Sequence, residues 1–372
     1  MQRNIKSLSA MAIFLLALTG CDNSDGSIAS PVEPVKPVVP PETEKPVADR
    51  SGTWPASALN DPELAGKEPV MPEVCQTLSA ELNQNAKGLL DEAIDADVNN
   101  SQPDTQRIQA AIDACTTGAV KLVAGSNEEN AFLSGPLTLK SSVTLWVDQG
   151  ITLFASRSPV DYQIAGKNNC GETASADNGC NALITATDSI NSGVIGEGII
   201  DGRGGAVLTS GKYADILTWW DVGALTKTVS GANQNNPRLI QVTNKNSAKP
   251  TSQNFTLYKI TLQNAPKFHF VPSGVNGVVV WGVKVLTPSL AYTVPGYDCP
   301  KGTTPATSGS PNYTRASTCF TPDTTKNTDA IDPGQSQNVL IAYNHISTGD
   351  DGIAIKAHSS NACVPPIAEK YA

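Results

Sequence analysis

Residues 327–356 read N-T-D-A-I-D-P-G-Q-S-Q-N-V-L-I-A-Y-N-H-I-S-T-G-D-D-G-I-A-I-K, which places two aspartate-bearing turns on either side of an alternating apolar segment. Asp329 lies in the first turn, and Asp350 and Asp351 lie in the second, 21 and 22 residues further along. That interval is about one coil of a solenoid of parallel strands, in which neighbouring strands lie roughly 4.8 Å apart. The spacing therefore predicts that the three carboxylates share one site.

Three carboxylates so close together cannot all ionise at ordinary pH, because repulsion and partial desolvation raise at least one pKa. A protonated acid beside a carboxylate is the pair that glycoside hydrolysis needs. One group protonates the leaving oxygen, while the other activates water or attacks the sugar. The alternative is a structural role, since Asp and Asn are common turn residues between short strands. The paired motifs at one-coil spacing favour the catalytic interpretation.

Five short motifs in this stretch resemble the polygalacturonases, the pectin-cleaving enzymes of glycoside hydrolase family 28, and especially their bacterial members. The motifs are N-T-D at 327–329, D-P-G at 332–334, S-Q-N-V at 336–339, S-T-G-D-D at 347–351 and I-A-I-K at 353–356. A weaker similarity extends back to about Cys75. The resemblance implies a right-handed parallel β-helix that hydrolyses α-1,4-galacturonosyl linkages in polygalacturonate. We expect no cofactor, no metal and a monomer.

The resemblance also implies a role for each aspartate. Asp350 matches the general acid, and Asp329 and Asp351 match the residues that activate the water, which gives inversion at the anomeric carbon. Inversion is implied by the resemblance alone and does not follow from the spacing of the aspartates. Inverting carboxyl groups usually lie about 6.5–9.5 Å apart, and adjacent coils bring these closer.

Four more residues are expected at the substrate. Lys356 is placed to meet a galacturonate carboxylate, with a solvated surface lysine as the alternative. Asn327 is expected to orient Asp329 or to hold the turn. Lys267 and His269, in N-A-P-K-F-H-F-V, resemble a segment of the family that lines the groove, although a histidine among aromatic residues is commonly a packed one.

Other functions stay open at this stage. One is hydrolysis of another pectic chain, such as rhamnogalacturonan, and another is a non-catalytic β-helix that binds polysaccharide. A pectate lyase of this shape would need calcium and a basic proton abstractor. The sequence leaves open whether attack is endo or exo.

Composition agrees with a turn-rich β architecture. The 372 residues include 30 Gly and 26 Pro, and only 16% are charged. A net charge of −9 argues against a nucleic-acid binder, whose surface would be basic. The same charge requires local Lys or Arg in any groove that takes an anionic polysaccharide.

Short apolar runs separated by turn residues predict one set of strands per coil. Positions 254 and 277 mark a 23-residue step, which favours a solenoid over the alternative, an antiparallel sandwich. Between Asp104 and Cys115 the apolar positions follow helical spacing, with Asp104 as the expected N-cap. We expect this short helix to close the N-terminal end of the β-helix. The predicted strand runs are 143–154, 194–200, 255–262, 278–286 and 339–346.

The N-terminus predicts export to the cell envelope or cell surface. Residues 1–20 resemble a lipoprotein signal peptide, which would be cleaved before Cys21 so that this cysteine carries the lipid. The alternative is an ordinary signal peptide and a secreted protein. Residues 21–50 are a proline-rich linker, and residues 51–372 are expected to form the β-helix domain.

Cysteine spacing also predicts an exported, disulfide-bonded chain. With Cys21 lipidated, we expect the pairs Cys75–Cys115, Cys170–Cys180 and Cys299–Cys319, which leaves Cys363 without a partner. The resembling enzymes continue past the Asp-Asp motif with Gly-His-Gly and Arg-Ile-Lys motifs, and neither is present before Ala372. We therefore expect a truncated or frame-shifted chain of impaired activity.

Overall fold

The computed structural model describes residues 64–176, 179–228, 230–246, 251–306 and 314–356. The predicted signal peptide, Cys21, the linker at 21–50 and Cys363 lie outside these residues. Within the described residues, no helix combines the length and apolar character needed to cross a membrane.

Three parallel sheets form the body of the chain. The first sheet has the order β1-β2-β5-β9-β13-β16-β18, the second β19-β17-β14-β10-β6-β3, and the third β15-β12-β8-β4. The strands are β1 Val74–Ser79, β2 Gly118–Val123, β3 Ala131–Ser134, β4 Leu137–Leu139, β5 Val143–Val147, β6 Thr152–Ala155, β7 Thr173–Ala174, β8 Ile184–Thr187, β9 Ile190–Ile195, β10 Ile199–Asp201, β11 Asn233–Gln234, β12 Ile240–Thr243, β13 Gln253–Tyr258, β14 Thr261–Gln263, β15 Phe270–Pro272, β16 Asn276–Trp281, β17 Lys284–Leu286, β18 Gln337–Ala342 and β19 His345–Ser347.

The chain visits the three sheets in turn, and each circuit stacks on the one before. From β8 the order is third, first and second sheet, and it repeats through β12, β13 and β14 and then through β15, β16 and β17. All pairings in these three sheets are parallel, and the described antiparallel strand pair is the short β7–β11. The fold is therefore a parallel β-helix, as predicted, and the antiparallel sandwich is wrong.

Each predicted apolar run contains two strands, because the chain turns a corner inside it. The corner between the first and second sheets falls at Gly196, Lys259, Gly282 and Tyr343, which all have left-handed backbone angles. These residues directly follow register-matched positions of β9, β13, β16 and β18. Sequence alternation located the runs but not the corner, since the apolar pattern continues across it.

The interior of the β-helix is a ladder of aliphatic side chains. Leu145, Val194, Leu257 and Val280 occupy one register position on four successive strands of the first sheet, and each is fully buried. Burying each such side chain contributes about 1.5–3 kcal/mol. This ladder fixes the register of the coils and therefore the positions of the turns between them.

Helix α1, Thr105–Ala114, forms where the helical spacing predicts it and buries Ile108, Ala111 and Ile112. Asp104 occupies the N-cap position, but its side chain makes no capping hydrogen bond. Its carboxylate instead accepts a hydrogen bond from the Leu133 backbone N–H at 2.6 Å. The N-cap position of Asp104 is thus confirmed, while its side chain is bonded outside the helix. The three predicted disulfides, Cys75–Cys115, Cys170–Cys180 and Cys299–Cys319, are all present.

Helix α2, Trp219–Leu225, was not predicted from the sequence. A capping box between Thr218 and Asp221 starts it, and both Trp219 and Trp220 are fully buried. The Trp220 indole N–H donates to the Ala265 carbonyl at 2.9 Å. The helix thus lies against the coil that ends in β14, and its C-terminal residues reach the region of the aspartates. Single-turn 3₁₀ helices cover Val98–Asn100, Pro159–Tyr162, Pro295–Tyr297 and Pro322–Thr324.

Candidate active site

The third sheet continues beyond its last strand into the two aspartate-bearing coils. Ile331 forms parallel bridges with Phe270 on one side and Ile353 on the other. Asp329 precedes Ile331 by two residues, and Asp351 precedes Ile353 by two, so the two aspartates have the same register on adjacent coils. The Ala330 backbone N–H donates to the Asp351 carbonyl at 2.9 Å and locks that register.

The three aspartates meet as the one-coil spacing predicts. One carboxylate oxygen from each of Asp329, Asp350 and Asp351 lies within 4.8 Å of the others. Asp350 and Asp351 are exposed, whereas Asp329 is only 4% exposed and lies at the base of the cluster. The site therefore has two exposed carboxylates and one buried carboxylate.

The pKa of Asp329 is strongly raised. Burial raises its pKa to about 6, and the negative charges of Asp332 and Asp350 add to that effect, while Lys356 opposes it. The prediction that at least one pKa of the cluster is raised is thus confirmed. A carboxyl group with this pKa gains or loses a proton near neutral pH, which is what an acid–base catalyst requires.

Asn327 orients Asp350 rather than Asp329. Its backbone N–H donates to Asp350 Oδ2 at 3.1 Å, and its side-chain amide lies 3.4 Å from the same oxygen. Asn327 has a left-handed backbone (φ 56°), which Asn tolerates better than most residues. The Asp351 N–H donates to Asp350 Oδ1 at 3.0 Å, so both oxygens of Asp350 accept hydrogen bonds.

His269 lies beneath the site and not on its surface. It is fully buried, and its Nε2 is 2.8 Å from Thr287 Oγ1. Its backbone N–H donates to the Asp329 carbonyl at 2.9 Å. Burial lowers the pKa of His269 to about 4, so the imidazole is neutral at neutral pH. The structure corrects the substrate-binding prediction for His269, because its contacts fix the backbone of Asp329.

Lys267 is also buried, at 3% exposed, which corrects its predicted place on the groove surface. Its Nζ donates to the Gln234 carbonyl at 3.2 Å and lies 5.0 Å from the centre of the Phe268 ring. Lys356 comes closer to the aspartates. Its Nζ is 3.6 Å from Asp329 Oδ2 and 4.5 Å from the Phe268 ring centre, and its side chain is half-exposed.

Sequence reasoning assigned no role to Asp332, although it lies in one of the quoted motifs. Asp332 is 1% exposed and pairs with Lys356 Nζ at 2.5 Å. Lys326, which interacts with Asp350, and its neighbour Lys227 were also missed. Lys326 Nζ donates to Thr226 Oγ1 at 2.7 Å, and Lys227 Nζ donates to the Asp323 carbonyl at 2.6 Å. The position of Lys326 directly before the N-T-D motif was the available signal.

The acidic cluster alone does not define a metal site. Its carboxylate oxygens are close enough to share one cation, but exposed acidic groups often lie together without one. The expectation of no metal and no cofactor stays a prediction.

The parallel β-helix and the clustered carboxylates are the arrangement that the motifs predicted. The model of the family "Glycosyl hydrolases family 28" matches residues 143–367, which is more than half of the chain. The chain therefore belongs to glycosyl hydrolase family 28, as its motifs predicted.

Several relatives are similar over most of this chain. A polygalacturonase of Ralstonia solanacearum is 53% identical over 311 residues, which cover 83% of this chain and 55% of the relative. An endo-polygalacturonase of Pectobacterium carotovorum subsp. carotovorum is 37% identical over 312 residues, covering 84% and 61%. The solved polygalacturonase from Erwinia carotovora ssp. carotovora superimposes with a TM-score of 0.57 at 35% identity, covering 79% of this chain and 61% of that one. The chain spans little more than half the length of these relatives.

Proposed function

We propose that this chain is a polygalacturonase that hydrolyses α-1,4-galacturonosyl linkages in polygalacturonate with inversion. The observation that carries the proposal is the meeting of Asp329, Asp350 and Asp351 within 4.8 Å in a family 28 domain. The similar proteins named as polygalacturonases favour this substrate over rhamnogalacturonan and over a purely binding role.

In this mechanism Asp350 donates a proton to the glycosidic oxygen that leaves. Asp350 is exposed, and two hydrogen bonds from Asn327 and one from Asp351 fix its orientation toward the groove. Asp329 and Asp351 hold a water and accept its proton as it attacks the anomeric carbon. Because the pKa of Asp329 is about 6, this base is ionised above that pH, and activity should rise as the pH increases through 6.

The carboxylates of this site lie closer together than is usual for inverting enzymes. The closest carboxylate oxygens lie within 4.8 Å, and the usual separation is about 6.5–9.5 Å for inverting enzymes and about 5–5.5 Å for retaining ones. We infer inversion from the family resemblance. In this arrangement the attacking water binds beside the clustered carboxylates, and not between two carboxylates on opposite sides of the sugar. The anomer first released, followed by NMR during hydrolysis, decides this point, and a retained configuration would contradict our assignment.

The substrate carboxylates need cations. Lys326 and Lys356 lie near the aspartates, and Lys227 lies near Lys326. Lys227 is exposed, and Lys326 and Lys356 are partly exposed. The pKa of Lys326 is lowered by burial and by Lys227, which means that its positive charge is poorly compensated. An anionic sugar would supply the missing negative charge.

We also propose that the β-helix is right-handed, that α1 closes its N-terminal end, and that the chain is an exported monomer. The buried face of α1 and the Cys75–Cys115 disulfide that follows it support the capping role. The three disulfides support an oxidising compartment. The lipid anchor is tested by labelling with a radioactive fatty acid, which Cys21→Ala should abolish.

The direct test is release of new reducing ends from polygalacturonate by the full chain, with rhamnogalacturonan as the comparison substrate. We expect product from polygalacturonate alone. Reducing ends from rhamnogalacturonan only would reassign the substrate. Absence of product from both, with a folded protein, would overturn the hydrolase proposal for this chain.

A further inference from the structure

Asp332 is a nearly fully buried carboxylate on the coil that carries Asp329. Its Oδ2 accepts a hydrogen bond from Lys356 Nζ at 2.5 Å, and its Oδ1 has no hydrogen-bond partner among the described residues. Burial raises the pKa of Asp332, although Lys356 and Arg238 favour its charged form. An ion pair with one half-exposed partner is a weak source of net stability, so its presence beside a reactive group calls for another explanation.

Lys356 is fixed by contacts on three sides. Its Nζ lies 2.5 Å from Asp332, 3.6 Å from Asp329 and 4.5 Å from the Phe268 ring centre. The parallel bridge between Gly334 and Lys356 sets this arrangement, because it stacks the end of one coil on the end of the other. A lysine side chain is flexible and strongly hydrated, so a half-exposed one stays in such a place only if a partner holds it.

The charges around Asp329 show what this placement does. Asp329 faces Asp332, Asp350 and Asp351, and Lys356 is the one cation within 4 Å of its carboxylate among the described residues. His269, which contacts its backbone, is neutral at neutral pH. Asp332 in turn faces Lys356, Asp351 and Arg238. Without Lys356, three carboxylates would surround a fourth.

We propose that Asp332 is a positioning residue: it holds the ammonium of Lys356 against Asp329 and thereby keeps Asp329 able to act as a base. This inference rests on the proposed function for the role of Asp329, but the electrostatic coupling it describes does not require turnover. It also gives Lys356 a task other than contact with a substrate carboxylate.

A double-mutant cycle on the titration of Asp329 tests the proposal. The carboxyl is followed by ¹³C NMR in full-length chain labelled with ¹³C-aspartate, and its signal is assigned by its loss in Asp329→Asn. In a Lys356→Met background, Asp332→Asn only removes an anion, so the titration midpoint of Asp329 should fall. In the wild-type background it also releases Lys356, so the midpoint should stay or rise.

The expected difference between the two backgrounds is about one pH unit, or ~1.4 kcal/mol. Equal downward shifts in both backgrounds would overturn the positioning role. Asp215→Asn, at an exposed loop position, is the matched control and should leave the midpoint unchanged. If Asp332→Asn does not fold, Lys356→Met alone must raise the midpoint and Lys356→Arg must restore it; an unchanged midpoint in Lys356→Met also overturns the proposal.

Activity separates this inference from the proposed function. If both hold, Asp332→Asn should lower kcat on polygalacturonate about tenfold in the wild-type background and have little effect in Lys356→Met. The two backgrounds could differ in the titration of Asp329 as expected while the chain cleaves no polygalacturonate. That result would support the positioning of Lys356 and reject the proposed reaction.

Discussion

Two groups of buried charges in this chain are built in opposite ways. Asp95, fully buried, is held by Arg203 at 2.6 Å and by Arg157 at 2.9 Å. In the second group, Asp329 and Asp332 share the single ammonium of Lys356. The first group has two cations for one buried carboxylate, and the second has one cation for two buried carboxylates.

The difference appears in the proton affinities. Burial would raise the pKa of Asp95, but the two arginines outweigh burial and lower it. The pKa of Asp329 rises to about 6 because burial and the carboxylates of Asp332 and Asp350 outweigh Lys356. A carboxylate with an excess of cations stays ionised and contributes to structure. One with a shortage of cations can exchange a proton near neutral pH, which makes it useful for catalysis.

The largest effect is expected from removing an acid of the second group. Asp350→Asn should lower kcat on polygalacturonate by about 10²–10⁴-fold, because amides cannot donate the proton to the leaving oxygen. Its exposed side chain should make the change in Tm small. Asp215→Asn is the control in both assays, and an Asp350→Asn variant within twofold of wild-type activity would contradict the assigned role.

In the first group, the same kind of substitution should affect stability and not chemistry. Asp95→Asn leaves Arg157 and Arg203 buried without their carboxylate, which should cost about 3–5 kcal/mol. Glu92 also pairs with Arg157 but is largely exposed, so Glu92→Gln should cost less than about 1 kcal/mol. Denaturant unfolding measures both. Equal losses for the two variants would show that Asp95 is not the centre of this group.

The pH dependence of stability sharpens the comparison. Between pH 4 and 6 folded Asp329 holds a proton that the unfolded chain has released, because its pKa is raised from 3.8 to about 6. This contribution to stability is complete below pH 4 and is lost as the pH rises through 6. His269 acts in the opposite direction, since its pKa is lowered from 6.5 to about 4: its contribution is complete above pH 6.5 and is lost as the pH falls through 4.

We therefore expect Asp329→Asn to be more stable than wild type at pH 7.5, on the order of 1 kcal/mol, and similar to it at pH 4. The His269 contribution is present in both the wild type and Asp329→Asn. The difference in stability between the two proteins therefore reports the contribution of Asp329. Tm measured at pH 4, 6 and 7.5 checks this. A difference that does not change with pH would mean that Asp329 has an ordinary pKa.

The smallest effect is expected at Lys326, the lysine that interacts with Asp350. Lys326→Gln should raise KM for polygalacturonate about threefold at low salt, because one ammonium near the groove is lost. Added salt should reduce the difference by screening. Lys212→Gln, at an exposed position, is the matched control. The same increase in KM for fully methyl-esterified pectin would argue against a contact with the substrate carboxylate.

The sequence placed three aspartates in one site because the coil length of a solenoid converts a 21- or 22-residue interval into contact between neighbours. It could not place His269 or Lys267. Both follow β14 in a segment resembling one that lines the family's groove, but their burial is decided by contacts with Gln234 and with the next coil. From the sequence, one expected role of Asn327 was to orient Asp329. The turn geometry instead directs the Asn327 amide to Asp350.

What the sequence by itself determined is therefore the family, the parallel β-helix, the three disulfides and the meeting of the aspartates. These depend on repeat length, local apolar patterns and short motifs, which are all present along one chain. Only the tertiary structure decided which carboxylate is buried, which lysine reaches it, and that Asp332 holds that lysine. The physical reason is that a pKa and a side-chain position depend on burial and on charges from several coils, and neighbours in space such as Asp332 and Lys356 are 24 residues apart in the chain.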